Sequence, residues 1–144
     1  LDSLRVSLNS FLPERYAAYY RPRGYGLEDV LASARVMRER GRWVSINYLT
    51  FPGVSDRPEE IEALHGFLDA PGLSMIQWRN LNIDPEHYLR NLGLGEAEDT
   101  GRGLLAMMRD VRRRFPGVAF GYFNPPSPPV VARGGDEPAA PPPA

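Results

Sequence analysis

Leu4, Val6 and Leu8 alternate with Arg5, Ser7 and Asn9, the period of two expected of a strand with unlike faces; a strand is predicted near 4–10. The following stretch, FLPERYAAYYRPRGYG, reads as an aromatic-rich loop. Leu27, Val30, Leu31, Ala34 and Met37 then keep a helical period, which predicts a helix over about 27 to 40 closed by Gly41. A second strand is predicted over 43–50 and ends at Pro52-Gly53. Asp56, Pro58 and Glu59 mark a helix start, Ile61, Leu64 and Leu68 form its apolar stripe, and Pro71-Gly72 closes it.

The third strand is expected near 73–79. Asp84-Pro85 opens a short helix to about Leu92, stopped by Gly93. After the loop GLGEAEDTGRG, a helix presents Leu104, Met108, Val111 and Phe115 and stops at Pro116-Gly117; a last strand spans 118–124. Strands separated each time by a full crossover mean parallel βαβ units, hence an α/β fold. From Pro125 the composition changes: eight of the 15 prolines fall in residues 125–144, a tail expected to stay unpacked because it has too little apolar surface to order itself. The ordered domain is therefore expected to end at residue 124.

A parallel sheet covered on both faces reads as nearly continuous apolar strands. Here three strands turn polar on one face toward their C-terminal ends, at Ser7 and Asn9, Ser45 and Asn47, and Gln77 and Arg79. Ligands of α/β barrels and open α/β sheets sit at the carboxyl ends of the strands, so these six form the first candidate site; the alternative is a satisfied polar layer. Arg79 is the sharpest member, because an inward guanidinium calls for a carboxylate or phosphate partner. Tyr16, Tyr19, Tyr20, Arg21, Arg23 and Tyr25 follow the first strand, and Asn80, Asn82 and Asp84 follow the third. Aromatics interleaved with arginine suit stacking on a base or clamping a peptide; the alternative is that Tyr16, Tyr19 and Tyr20 simply cover the barrel mouth. Asp84 reads as a helix N-cap.

Composition narrows the chemistry. The chain has 144 residues, no cysteine, and a net charge of −1, while every one of its 17 basic residues is arginine. That excludes thiol chemistry, Cys-ligated metals and lysine Schiff bases within this chain, and offers no global field for nucleic acid. No apolar run reaches the ~20 residues of a membrane span, and a cytoplasmic location is expected. His65 and His87 are isolated on helices and read as structural rather than as a metal pair. Glu59, Glu60 and Glu62 read as a solvated face at a helix N-terminus, and Arg112, Arg113 and Arg114 suit a helix C-terminus. The glycine loops lack the strand and helix context of a dinucleotide site. The start at Leu1, directly on a strand, is expected of a piece of something longer.

The strings RVSLNS, YYRPRGYGLEDVLASARVMRERG, VSINYLTFPGVSDRPEEIEAL and MIQWRNLNIDPEHYLR resemble, in order and spacing, the later part of radical S-adenosylmethionine (radical SAM) enzyme cores, over roughly residues 3 to 124. The resemblance implies part of a partial (β/α)6 barrel, a partial TIM barrel, holding S-adenosylmethionine on a [4Fe–4S] cluster that generates a 5′-deoxyadenosyl radical. It implies that Ser7, Asn9 and Ser10 face the ribose and methionine portions of that cofactor, that Asn47 lies near the adenine, and that Gln77 and Arg79 mix cofactor and substrate contacts. Tyr19, Tyr20, Arg21, Asn80 and Asn82 would meet a substrate, a small molecule or peptide. The family's CxxxCxxC loop has no counterpart in this chain, and neither has the glycine-rich pattern common on the fifth strand. The chain alone is therefore expected to bind no cluster, and S-adenosylmethionine only at millimolar affinity or weaker (about −4 kcal/mol), with the N-terminal half of the barrel as its missing partner. The alternatives are a non-redox α/β-barrel enzyme holding an anionic small molecule and a non-catalytic peptide-binding module.

Overall fold

The computed structural model describes residues 1–69, 73–95 and 101–121. Four strands, β1 (Ser3–Leu8), β2 (Trp43–Thr50), β3 (Met75–Asn80) and β4 (Ala119–Phe120), form one sheet in the order β1-β2-β3-β4. Every pairing is parallel. Five helices connect them: α1 (Pro13–Tyr20), α2 (Leu27–Glu39), α3 (Pro58–Asp69), α4 (Pro85–Asn91) and α5 (Leu104–Arg114). Among the described residues, no helix is long and apolar enough to cross a membrane.

Strand order that follows chain order steps each crossover in one direction, and crossovers of one hand then place their helices on one side of the sheet. The core agrees. Its strand members are Leu4, Val6, Leu8, Val44, Ile46, Tyr48, Ile76, Trp78 and Phe120, all of one parity in the observed register. Against them pack Leu27 and Ala34 of α2, Leu64, Phe67 and Leu68 of α3, and Met107 and Val111 of α5. The opposite parity carries Arg5, Ser7, Ser45, Asn47, Gln77 and Arg79 and contributes no member to this core. One face of the sheet is thus apolar and packed against the helices, and the other mixes these polar residues with Trp43, Leu49 and Met75.

Several boundaries depart from the sequence reading. The stretch after β1 is not all loop: Pro13 opens α1 at a first-turn position, where its missing N–H costs nothing. Tyr16, Tyr19 and Tyr20 are spaced i, i+3, i+4, and Arg21, left-handed at φ 48°, ends the helix. Strand β1 stops at Leu8, leaving Asn9 and Ser10 beyond it. Asp56 does not cap α3; its carboxylate accepts from the N–H groups of Gly53 (2.7 Å) and Gly103 (2.8 Å), joining two loops. Gly41, at φ 69°, does follow the end of α2, and Asp84 caps α4 by accepting from His87 N–H at 2.7 Å. On α5 the buried stripe is Met107 and Val111 rather than Met108. Strand β4 covers only Ala119–Phe120 of the expected 118–124; the Pro71-Gly72 stop, residues 122–124 and the tail from Pro125 lie outside the described residues.

Candidate functional site

On the polar face the register sets Ser7, Asn47 and Gln77 side by side across three adjacent strands. Neighbouring strands lie about 4.8 Å apart, close enough for one ligand to span the row. Asn47 Nδ2 donates to Ser7 Oγ at 3.3 Å, which turns Asn47 Oδ1 away; that oxygen is buried and has no hydrogen-bond partner among the described residues. Buried amide oxygens are nearly always satisfied, so this acceptor is the chemically unfinished point of the row.

Cations flank the row. Arg5 lies one step toward the N-terminal end, paired with Ser45, and Arg79 one step toward the C-terminal end, paired with Leu49. Both are exposed, and among the described residues neither makes an ion pair, whereas Arg15, Arg42 and Arg113 all do. The face therefore carries two exposed guanidinium groups, the exposed Ser7 hydroxyl and the half-buried Asn47 amide, with Gln77 and Ser45 buried beside them, a set matched to an anionic or polyhydroxylated ligand.

Asn9 and Ser10 leave this face. Because β1 ends at Leu8, Asn9 turns inward and is fully buried, donating to the Arg15 carbonyl at 3.2 Å and to the Tyr88 hydroxyl at 3.0 Å. Ser10 donates to the Glu60 carboxylate at 2.8–2.9 Å and accepts from Leu12 N–H. The expected sharing of one face by Ser7 and Asn9 does not hold. Asn80 is likewise displaced: it has the parity of Trp78, opposite to Arg79, and lines a cavity on the helix side of the sheet. Asn82 is exposed in the segment before α4.

The tyrosines form a stacked cluster at the C-terminal rim. Tyr16 and Tyr20 lie 4.8 Å apart, Tyr19 and Tyr20 4.7 Å, and Tyr19 meets Tyr88 edge-on at 6.0 Å. Tyr20 donates its hydroxyl to the Ser7 carbonyl at 2.8 Å. Burial pushes the Tyr20 phenol well above its ordinary range, with the neighbouring tyrosines adding to it, so it stays protonated and a donor. Arg21 stands apart, beside Tyr16, Pro22, Arg23 and Tyr25 in a groove of about 680 Å³ between α1 and the start of α2.

Beneath this rim lies a hub that the sequence reading missed. Glu60, expected on a solvated face, is completely buried. It accepts from Ser10 Oγ, from Phe11 N–H (2.6 Å), from Arg15 Nη1 (2.9 Å) and from Tyr48 Oη (3.3 Å). Burial raises its carboxyl above the usual range, while the Phe11, Ser10 and Arg15 donors pull the other way. With every partner a donor, Glu60 is a locked structural anchor for the β1–α1 segment rather than an acid poised over a ligand.

Iron–sulfur ligation does not fit this chain. It contains no cysteine, and among the described residues no three His, Cys, Asp or Glu side chains gather as a metal site. Compared with known proteins, the sequence matches no family model and no curated relative.

Proposed function

We infer that this chain is the C-terminal part of a radical SAM-type partial barrel, and that the polar face of its sheet contributes contacts to S-adenosylmethionine and substrate in the full-length protein. The observation that carries the reading is the row Ser7, Asn47 and Gln77 on the helix-free face of a sheet whose strand order follows chain order. A complete doubly wound sheet reverses its order and places the ligand at the reversal; the four strands here show no reversal, which is compatible with barrel-like winding, in which the face away from the helices becomes the lumen.

In this reading the bound cofactor and its cluster supply the radical, and the cysteines that hold the cluster come from outside this chain. The residues here bind and orient. Asn47 Oδ1 accepts from a ribose hydroxyl or an amino group, Gln77 offers both donor and acceptor, and Arg79 neutralises a carboxylate at the rim. Tyr20 and Asn9 hold the end of β1 that carries Ser7, and so act as positioning residues.

Backbone amide spectra of the labelled chain, titrated with S-adenosylmethionine into the millimolar range (about −4 kcal/mol), test this. Shifts confined to Ser7, Asn47, Gln77 and Arg79 are expected. Scattered shifts, or none, would overturn the assignment of the face. In the full-length protein, Asn47→Ala and Arg79→Ala should each lower 5′-deoxyadenosine output after cluster reconstitution.

The unpaired Arg5 and Arg79 favour a second reading, a non-redox barrel that holds an anionic small molecule. Inorganic phosphate would then move Arg5 and Arg79 resonances at lower concentration than S-adenosylmethionine does.

A further inference from the structure

A separate cavity of about 520 Å³ opens on the helix side of the sheet, walled by Thr50, Trp78 and Phe120 from the strands and by Leu104, Met108 and Arg112 from α5. The sheet separates it from the polar row: Thr50, Trp78 and Phe120 have the core parity, and Asn47, Gln77 and Arg79 the other. It lies beside the core stripe of α5 and not within it, since Met107 and Val111 are buried while Met108 is half-buried and Leu105 is 67% exposed. A volume of this size is in the range of small-ligand sites.

Two polar features interrupt the apolar walls. The Trp78 indole Nε1 is buried and has no hydrogen-bond partner among the described residues; an indole N–H is a donor only and is costly to leave unmet. Arg112 stacks its guanidinium over the Phe120 ring at 4.7 Å and makes no ion pair among the described residues. The stacking holds the cation at the wall, and its N–H groups keep their donor capacity. Both features are donors, one of them cationic, and among the described residues the only side-chain oxygens in the lining are on Thr50 and Asn80. The Thr50 hydroxyl already donates to the Arg79 carbonyl at 3.0 Å.

From this we propose that the cavity binds a small apolar carboxylic acid, its hydrocarbon or aryl body against Leu104, Met108 and Phe120 and its carboxylate toward Arg112 and the Trp78 N–H. An amine would meet Arg112 as a like charge, and an alcohol would leave the guanidinium unmatched. The proposal is independent of the polar face and stands whether or not that face binds S-adenosylmethionine.

The chain has two tryptophans, Trp43 and Trp78, so Trp43→Phe in the full chain makes the emission report on Trp78 alone. Titration of this variant with octanoate, octan-1-ol and octylamine should give a saturable change with octanoate at submillimolar concentration. The alcohol should bind at least tenfold more weakly, and the amine should give no change. Adding Arg112→Gln, an exposed position on α5, should weaken octanoate at least tenfold, whereas adding Asn47→Ala should leave it unchanged. No saturable change with octanoate would overturn the site. Equal binding of octanol and octanoate, or indifference to Arg112→Gln, would overturn the assignment of its ligand as a carboxylate.

Discussion

Arg15 on α1 donates to Glu60 on α3 at 2.9 Å, with the Arg15 side chain 7% exposed and that of Glu60 0%. The same guanidinium reaches Glu59 at 2.6 Å, where the carboxylate is 49% exposed. One arginine thus joins a buried and an exposed carboxylate, and the two bonds carry very different energetic weight.

Removing one partner of a buried pair strands the other charge, at a cost of about 3–5 kcal/mol, whereas an exposed pair contributes about 0–1 kcal/mol. Arg15→Met should therefore destabilise the protein several-fold more than Glu59→Ala, measured by urea unfolding. Equal effects would show that Glu60 is satisfied without Arg15.

Two glycines give opposite signs. A Cβ at Gly101 would run into the Asp56 carboxylate, whose bond to Gly103 N–H holds the start of α5. Gly66, within α3, has open space where its Cβ would go. Gly101→Ala should cost about 1–3 kcal/mol through overpacking, and Gly66→Ala should stabilise by about 0.4–1 kcal/mol by restricting the unfolded chain. Thermal unfolding of the two variants measures both.

His65 sits between two charges. Arg114 Nη1 lies 2.8 Å from its Nδ1, so the neutral ring accepts there, and Asp110 lies 3.5 Å from its Nε2. Burial lowers its pKa below the ordinary value of 6.5, and Arg114 lowers it further against the opposing pull of Asp110 and Asp69. A group depressed in the folded state contributes stability that is complete above its unfolded pKa. That stability is lost as pH falls from about 6.5 through the folded value. His65→Gln should flatten the stability profile between pH 7 and pH 5 (roughly the His titration range); an unchanged slope would remove His65 from the account.

Tyr88 accepts from the buried Asn9 amide at 3.0 Å, but Asn9 keeps its second bond to the Arg15 carbonyl. Tyr88→Phe should accordingly cost about 1 kcal/mol, read from denaturant midpoints, with the sheet spectrum intact.

The strands and most helices were legible in the sequence because each writes its own period. The polar row was legible for the same reason, since Ser7, Asn47 and Gln77 keep strict alternation inside their strands. Asn9 and Asn80 were misplaced where alternation stops being informative: one lies past the last paired residue of β1, and the other shares the parity of Trp78. Helix α1 carried a readable signal in Tyr16, Tyr19, Tyr20 and the opening Pro13, which the density of aromatic residues disguised as a loop. The burial of Glu60 had no local signal. It depends on Ser10 and Arg15, 50 and 45 residues earlier in the chain, and no short-range rule brings them together.

Because each strand pairs with its chain neighbour, the sheet also assembles by steps of similar length. Ser3 meets Trp43, Ser45 meets Met75, and Met75 meets Ala119. Closing loops of roughly 30 to 44 residues differs in entropy by only about 0.3 kcal/mol, so chain length does not decide which pair forms first. The β2–β3 unit brings Ile46, Tyr48 and Ile76 together in the core and forms the centre of the sheet, with β1 paired on its β2 side and β4 on its β3 side. Asn47 and Gln77, the middle of the polar row, are therefore paired across the two central strands, and neither lies on an edge of the sheet.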